Sequence, residues 1–171
     1  PAAIDALFAE VERRFGRLDV LVNSAATFRR RSLGAVELEE WDTVMAVNLR
    51  APFLCLQRAA PLMRVGQRPA GEAGAVINLV DGSAVRPWPG YVHHGVSKAG
   101  LLHLTRIAAR ELAPDVRVNA VLPGPVLPPG DLAAESDAWR RISVSVPLGR
   151  AGTPGDVARA DTLRRPFRQD V

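Results

Sequence analysis

The spacing of apolar residues along the chain predicts alternating helices and strands. Stretches in which apolar side chains recur every three to four positions have the period of a helix with one buried face. The predicted helices are 2–15, 38–63, 91–112, a short one at 135–142 and one that begins at Pro154 with Thr153 as its N-cap. Short, nearly continuous apolar runs indicate strands that are buried in a sheet. The predicted strands are 19–23, 75–80 and 116–122.

The order of these elements is strand, helix, strand, helix, strand, which is typical of a parallel α/β sheet. A sheet of three strands is small for an open, doubly wound architecture, and its edges would be left unpaired. We therefore expect the complete sheet to contain further strands. No internal repeat or low-complexity segment interrupts this pattern, and the length of 171 residues fits one domain.

Composition excludes several functional classes. Apolar residues make up 47% of the chain, enough for a core, yet no apolar run reaches the ~18 residues of a membrane span. The net charge of +4 comes from dispersed arginines without a nucleic-acid-binding motif, so we predict neither a nucleic-acid nor a membrane partner. The first residues do not resemble a signal peptide, and the single cysteine, Cys55, excludes an internal disulfide. A reducing cytoplasm fits, with Cys55 packed in the interior.

The basic residues contain one exception. Among the 22 lysine and arginine residues, Lys98 is the only lysine. Lysine carries a compact ammonium on a flexible stem, whereas arginine carries a planar, forked guanidinium, so the two do not substitute for each other at a site of specific geometry. We therefore expect position 98 to require an ammonium group.

Five short motifs follow one another along most of the chain. They are Leu21-Val-Asn-Ser-Ala-Ala26, Val47-Asn48-Leu49, Ser97-Lys98-Ala99, Arg117-Val-Asn-Ala-Val-Leu-Pro-Gly124 and Pro147-Leu-Gly-Arg-Ala-Gly-Thr-Pro154. Each alone is a weak signal. In this order and spacing they resemble the short-chain dehydrogenase/reductase family, and the resemblance extends over residues 2–160.

The resemblance implies a Rossmann-type, doubly wound parallel sheet that binds a nicotinamide dinucleotide at its carboxyl edge. It implies a cytoplasmic oxidoreductase that acts on a small-molecule substrate and assembles as a homotetramer or dimer, and we expect NADP(H) in preference to NAD(H). Catalytic roles are implied for Asn48, Asp81, His94 and Lys98. Cofactor contacts are implied for Asn23, Ala25, Lys98, Pro123 and Gly124.

Two positions depart from the family pattern. In the family a serine lies thirteen residues before the catalytic tyrosine, and the tyrosine lies four residues before the lysine. Counted back from Lys98, these positions hold Asp81 and His94. An aspartate there resembles the pteridine-reductase subgroup, in which a phenylalanine placed like Phe28 stacks on the pterin, and Tyr91 is expected to line the same substrate pocket. The histidine removes the family's usual proton donor.

The resemblance also predicts an incomplete domain. The family's glycine-rich phosphate loop belongs to an earlier strand–turn–helix unit, and no Gly-x-x-x-Gly-x-Gly occurs in this chain. The last strand of the family's sheet has no counterpart either. We predict a partial NAD(P)-binding domain over residues 1–160 and an atypical polar tail over 161–171, which a frameshift or a degenerate terminus would explain.

The residues themselves suggest a proton donor. Positions 94 and 98 are four apart on a predicted helix and share one face at about 5–6 Å. Because imidazole titrates near neutrality, His94 is a candidate general acid toward a carbonyl or imine, with Lys98 beside it. The alternative interpretation of His94 is a surface or pocket-lining residue without a role. Asp81 either meets a ligand at the strand end or only forms a turn before Gly82.

The remaining candidates also have structural interpretations. Asn48 would be a buried residue at a helix kink, Asn23 a strand-end cap, and Phe28 part of the core. A metal site formed by His93, His94 and Asp81 is excluded, because adjacent helical residues point about 100° apart.

Three hypotheses about function remain open at this point. The first is an NAD(P)H-dependent reductase of a pterin or a small carbonyl compound. The second is a catalytically silent relative that acts through assembly, with the helices at 38–63 and 91–112 packed against a sister subunit. The third is a non-functional gene remnant.

Overall fold

A computed structural model describes residues 1–65, 73–128 and 133–161 of the chain. The helices are α1 (Ala2–Phe15), α2 (Leu38–Met45), α3 (Ala51–Arg64), α4 (Val92–Glu111), α5 (Asp137–Val144) and α6 (Pro154–Asp161). The strands are β1 (Val20–Asn23), β2 (Gly74–Leu79) and β3 (Val116–Val121). Residues 162–171 of the predicted polar tail lie outside the described residues, so that prediction stays a prediction.

The three strands form one parallel sheet in the order β1-β2-β3. In its register Val20 pairs with Ala75, and Gly74 pairs with Val116. Because all three strands run in the same direction, their carboxyl ends lie at one edge of the sheet. The predicted Rossmann-type α/β fold is confirmed. In folds of this type, ligands bind at the carboxyl edge of the sheet.

One core lies between the sheet and the helices α1, α3 and α4. Phe8, Met63 and Ala108 come from these three helices, and Val76 and Val118 come from the sheet. Met63 is 1% exposed and Val76 is fully buried. Burial of a side chain of this size contributes about 1.5–3 kcal/mol, so a few such residues account for much of the packing between the layers.

Strand β1 differs from the buried strand that its sequence predicts. Val20 and Val22 are about half exposed, whereas Leu21, between them, packs against the core. Alternate residues of a strand point to opposite faces of the sheet, so one face of β1 is covered and the other is open. The prediction of a strand was right, and the prediction of its burial on both faces was wrong, because the core packs only against the face of β1 that carries Leu21.

The helical pattern over 38–63 folds as two helices joined by a π-helical turn at Ala46–Arg50. The turns of the helix are widened just before Pro52. Pro52 has no N–H to donate to the carbonyl of Asn48, four residues earlier, so the regular α-helical bonding stops there. The π turn contains the buried Asn48, and such turns often occur at functional sites.

Helix α4 approaches this π turn closely. A Cβ added to Gly100 would lie 2.9 Å from Leu49 Cδ2. Real side chains do not tolerate such a distance without movement of the neighbour, so glycine at this position permits the contact. The close approach brings α4 next to Asn48 and fixes the position of the site residues that α4 carries.

The helix ends follow the sequence signals. Helix α1 stops at Gly16, which adopts a left-handed conformation with φ of 65°. Helix α5 begins two residues later than predicted, because the Ser136 hydroxyl accepts a hydrogen bond from Trp139 N at 3.2 Å and so caps its start. Thr153 caps α6 as predicted, with its hydroxyl 3.1 Å from Asp156 N.

In the part of the chain that the structure describes, none of the helices has both the length and the apolar surface needed to cross a bilayer.

The buried position of Met63 gives a stability prediction. We expect Met63→Ala to lower the free energy of unfolding by about 2–5 kcal/mol, because it leaves a cavity between α3 and the sheet. Urea denaturation followed by circular dichroism measures this change. The matched control is Leu148→Ala, since Leu148 is 82% exposed and should change the free energy by less than about 0.5 kcal/mol. Equal effects of the two substitutions would contradict the described packing.

Candidate active site

A cleft of about 1210 Å³ lies at the carboxyl edge of the sheet. The segments that follow the three strands supply its floor, as expected for a parallel α/β sheet. Helices α5 and α6 and the loop before α4 supply the rest of its walls. Of the residues that the sequence singled out, those lining the cleft are Phe28, Asp81, Tyr91, Pro123 and Gly124.

Asp81 follows β2 and meets three hydrogen-bond donors. Its Oδ1 accepts a hydrogen bond from Ser83 N at 2.8 Å, by which Asp81 caps the 3₁₀ turn Gly82–Ala84, and a short one from the Ser83 hydroxyl. Its Oδ2 lies 2.7 Å from His94 Nε2. Asp81 therefore forms the turn that its sequence position suggested and also contacts the candidate proton donor.

The surroundings of Asp81 keep it ionised. Burial raises the pKa of the carboxyl, but the hydrogen bonds from His94 and Ser83 outweigh burial and lower the pKa to about 2. At neutral pH the side chain is a carboxylate, which accepts hydrogen bonds and has no proton of its own to give. Since Asp81 lines the cleft, a ligand there meets an acceptor at this position.

His94 is buried behind Asp81, with 2% of its surface exposed. Its Nε2 contacts the Asp81 carboxylate, and its Nδ1 lies 3.1 Å from the carbonyl oxygen of Thr27. Both of these neighbours are acceptors, and the amide Nδ2 of Asn48 also lies 3.5 Å from Nδ1. A hydrogen on Nε2 satisfies the bond to Asp81, and a hydrogen on Nδ1 satisfies the contact with Thr27 O. The interpretation of His94 as a surface or pocket-lining residue is wrong.

Asn48 connects three segments around His94. Its Oδ1 accepts a hydrogen bond from Thr27 N at 2.7 Å, and its Nδ2 donates to Thr27 O at 3.0 Å and to the Ser97 hydroxyl at 3.1 Å. Ser97 in turn donates to the carbonyl of His94 at 2.7 Å. Asn48 thus holds the Thr27 backbone, which contacts His94, and it is both the buried residue of an irregular helix and a neighbour of the candidate site.

Lys98 points toward the carboxyl end of β2. It is 4% exposed, and its Nζ donates to Leu79 O at 2.7 Å. Burial lowers the pKa of Lys98, and the nearby Asp81 carboxylate partly opposes this effect. An ammonium has three hydrogens to donate, so the bond to Leu79 leaves capacity for a further acceptor. The expected orientation of the single lysine at the edge of the parallel sheet is observed.

Asn23 lies at the end of β1, and its side chain contacts the sheet. Its Nδ2 donates to Asn78 Oδ1 at 2.8 Å, and Asn78 Nδ2 donates to the Thr105 hydroxyl at 2.8 Å. This chain of bonds joins β1, β2 and α4, which agrees with the strand-end interpretation of Asn23. Ala25, two residues later, is exposed.

Aromatic side chains form one wall of the cleft. The rings of Phe28 and Tyr91 are stacked with centroids 4.6 Å apart, and Phe28 contacts His94 edge-on at 4.8 Å. The rings of Trp88 and Tyr91 are nearly perpendicular, with centroids 6.2 Å apart. Phe28 is 50% exposed, so its interpretation as a core residue is wrong.

Sequence reasoning missed several residues of the site. Ser83 and Ser97 supply hydroxyls to the network, and Trp88 and Trp139 supply rings to the cleft. Ser97 adjoins Lys98, and Trp88 lies between two prolines in a loop, so both had local signals. Trp139 had none, because α5 reaches the cleft only through the tertiary fold.

The residues present fit the nicotinamide–ribose end of a dinucleotide at this edge. Gly124 lines the cleft, and a Cβ added there would meet no atom within 4 Å, so the backbone is open to a ligand. Lys98 adds a buried ammonium with unused donor capacity. These are features that a ribose hydroxyl and a phosphate-linked sugar can use.

The two adjacent histidines face different partners. His94 contacts Asp81, whereas His93 Nε2 lies 3.5 Å from Glu40 Oε1. The different directions follow from the angle between consecutive residues of a helix. Across residues 1–65, 73–128 and 133–161, no three histidine, cysteine, aspartate or glutamate side chains are grouped as a metal would require.

The low pKa of Asp81 predicts an acid dependence of stability. The pKa of Asp81 in the folded protein is lower than in the unfolded chain, where it is about 3.9. The stabilisation by the Asp81 carboxylate is therefore present above that pH and is lost as pH falls toward about 2. We expect the wild type to lose about 2 kcal/mol of unfolding free energy between pH 5 and pH 2 that Asp81→Asn does not lose.

Urea denaturation across that pH range measures the difference. Asp137→Asn is the control, since Asp137 is 78% exposed and its replacement should keep the acid-dependent loss. An identical pH dependence in wild type and Asp81→Asn would show that His94 and Ser83 do not hold the carboxylate as described.

Comparisons with known proteins agree with this arrangement. A family profile described as "Enoyl-(Acyl carrier protein) reductase" matches residues 1–162. The chain is 38% identical over 156 residues to the 3-oxoacyl-[acyl-carrier-protein] reductase FabG of Staphylococcus aureus, which covers 91% of this chain and 61% of the relative. It therefore spans about three-fifths of the length of that relative.

Solved structures give the same result. A dehydrogenase/reductase from Sinorhizobium meliloti superposes with a TM-score of 0.79 at 34% identity, covering 93% of this chain and 61% of the other. The angucycline C-6 ketoreductase LanV with bound NADP superposes with a TM-score of 0.78 at 30% identity, covering 94% and 62%. The sequence motifs, the parallel sheet and the range of matched residues all agree. The chain therefore belongs to the short-chain dehydrogenase/reductase family of oxidoreductases.

Proposed function

We propose that this chain forms the catalytic and substrate-binding part of an NAD(P)H-dependent reductase that acts on a small carbonyl compound or a pterin. The observation that carries the proposal is the Asp81–His94 pair, with 2.7 Å between Oδ2 and Nε2, next to the ammonium of Lys98. Asp81 lines a cleft at the edge where parallel sheets bind ligands. Family membership supports nicotinamide chemistry at this edge.

A bound nicotinamide would supply the hydride of the reduction. In this proposal Lys98 donates to the ribose hydroxyls. The backbone around Pro123 and Gly124 would contact the cofactor, and Asn23 and Ala25 would border it at the end of β1. Support comes from the buried Lys98 ammonium, whose one described bond goes to Leu79 O, and from the open space at Gly124.

The proton would come from His94 by way of Asp81. Both nitrogens of His94 are engaged and its ring is buried, so it has no free N–H directed into the cleft. Asp81 faces the cleft but is ionised at neutral pH. In the proposed step His94 starts with a hydrogen on each ring nitrogen. Hydride addition to the substrate carbon opens its C=O double bond, or the C=N bond of a pterin, and the oxygen or nitrogen takes a proton from Asp81 Oδ2 as His94 Nε2 passes its own proton to that carboxylate. Asp81 ends as the carboxylate that it was, and His94 keeps one hydrogen, on Nδ1.

Asn48 would be a positioning residue in this scheme. It holds the backbone of Thr27, and the Thr27 carbonyl contacts the second nitrogen of His94. Neutral His94 can keep its hydrogen on Nδ1, bonded to Thr27 O, while Nε2 releases the other. The network therefore supports loss of one defined proton.

The substrate class has two lines of support. Asp81 and Phe28 stand at positions that resemble the pteridine reductases, and Phe28 and Tyr91 present rings to the cleft. Among the similar proteins, FabG is named a 3-oxoacyl-[acyl-carrier-protein] reductase, which favours a carbonyl compound. A substrate of either class has an oxygen or a ring nitrogen that would accept the proton from Asp81.

Cofactor choice, location and assembly also belong to the proposal. NADP(H) is preferred to NAD(H) in this proposal, supported by the NADP bound to the similar ketoreductase LanV. We place the enzyme in the cytoplasm as a dimer or tetramer. The exposed apolar residues Phe53 on α3 and Val96 and Ile107 on α4 support contact with a sister subunit.

The proton path predicts the kinetics of two variants. In the protein as encoded by its gene, His94→Gln and Asp81→Asn should each lower kcat for carbonyl or pterin reduction about 100-fold, because each removes a member of the relay. KM should change only a few-fold. NADPH consumption followed by its nicotinamide absorbance measures both constants, and NADH in parallel measures the cofactor preference.

His103→Gln is the matched control, since His103 is the exposed third histidine and lies on the same helix. It should keep the wild-type rate. Wild-type activity in His94→Gln would overturn the proton path.

A catalytically silent protein is the second candidate. It is favoured by the same burial of His94, which leaves no ring nitrogen facing the cleft. This candidate predicts no reduction by the wild type and the appearance of activity in His94→Tyr, which restores the family's phenol. A wild type that is active and loses activity in His94→Tyr excludes it.

A further inference from the structure

Four of the nine phenylalanine, tryptophan and tyrosine residues of the chain line the cleft. The chain has three tryptophans and one tyrosine. Two of those tryptophans, Trp88 and Trp139, line the cleft together with Tyr91 and Phe28. Aromatic residues make up 5% of the chain, so their presence here is a feature of the site and does not reflect a generally aromatic composition.

These rings come from separate parts of the fold. Phe28 follows β1, Trp88 and Tyr91 precede α4, and Trp139 lies in α5. Phe28 and Tyr91 are nearly parallel, with 16° between their planes, and Trp88 meets Tyr91 at 77°. The cleft is therefore lined by rings of different orientation that come from more than one element.

Part of the surface of these rings is exposed to solvent. Phe28 is 50% exposed and Trp88 is 39% exposed, although both contact other rings. Exposed apolar surface collected in one concave site marks a place where a ligand or partner binds. The cleft also contains Asp81 at its polar end, which limits the ligand to one with a polar edge.

We propose that the substrate is a planar, fused-ring carbonyl compound, and that Trp88 and Trp139 determine this preference. This inference rests on the proposed function and names the substrate class of the same site. Flat ring systems stack on aromatic side chains with about 0.5–1.5 kcal/mol beyond the burial of area, an advantage that a linear acyl chain lacks. A fused ring is also rigid, so it loses less conformational entropy on binding than a flexible chain.

The polar edge of such a compound matches the floor of the cleft. With its ring face against the aromatic side chains, the compound directs its carbonyl to Asp81, from which the proton comes in the proposed step. Pro123 and Gly124 border the same floor without a polar side chain. The ring contacts supply orientation, and the carboxyl group acts at the reacting edge.

Two ketones of equal carbon number test the inference. Binding of 1-tetralone, which has fused rings, and of 2-decanone, which is linear, is measured by isothermal titration calorimetry on the protein as encoded by its gene, without nicotinamide cofactor. We expect the wild type to bind 1-tetralone about tenfold more tightly. Equal or tighter binding of 2-decanone overturns the inference.

Variants of the two tryptophans identify the residues responsible. Trp88→Leu and Trp139→Leu should each weaken 1-tetralone binding several-fold to tenfold and leave 2-decanone within twofold. Trp88→Phe keeps a ring and should keep most of the affinity for 1-tetralone. The thermal unfolding midpoint of each variant shows whether it is folded. Equal loss of both ketones in the folded variants overturns the assignment to stacking.

The reductase activity is measured separately. Selective binding of 1-tetralone without NADPH consumption contradicts the proposed function and supports the inference about the ligand. Reduction of 2-decanone with a kcat/KM equal to or above that of 1-tetralone supports the function and overturns the inference. The two proposals therefore fail in different experiments.

Discussion

Parallel alignment of three strands is the constraint on which the site depends. Because β1, β2 and β3 run in one direction, the residues that follow them meet at one edge. Asp81 comes after β2 and Gly124 after β3, more than forty positions later in the chain. An antiparallel pairing would place one of these segments at the opposite end of the sheet, and the cleft would not form.

Burial divides the charged residues of the site into two groups. Asp81 reaches the cleft, whereas His94 and Lys98 lie behind it with 2% and 4% of their surfaces exposed. A buried polar or charged group is costly unless hydrogen-bond partners or an opposite charge compensate it. The Asp81 carboxylate and the Thr27 and Leu79 carbonyls provide this compensation. The same contacts that stabilise the two buried side chains determine which group meets a ligand.

The sequence was informative wherever a local pattern carried the signal. Helical periodicity and capping residues predicted α1, α4 and α6, and apolar runs predicted the strands. Motif spacing selected Asp81, His94 and Lys98, which the structure brings together. Local patterns were less informative about β1, whose exposure depends on which of its faces the core covers, and about the π turn, where a continuous helix was expected.

The sequence by itself determined the order of the elements, the parallel α/β class, the family resemblance and the single lysine. Each of these depends only on short-range spacing or on composition. Only the tertiary structure decided that His94 is closed off by Asp81, that Thr27 contacts it through a backbone carbonyl, and that Trp139 faces the cleft. These contacts join residues far apart in the chain. Their distances and burial depend on how α4 and α5 pack at the sheet edge, which no local pattern encodes.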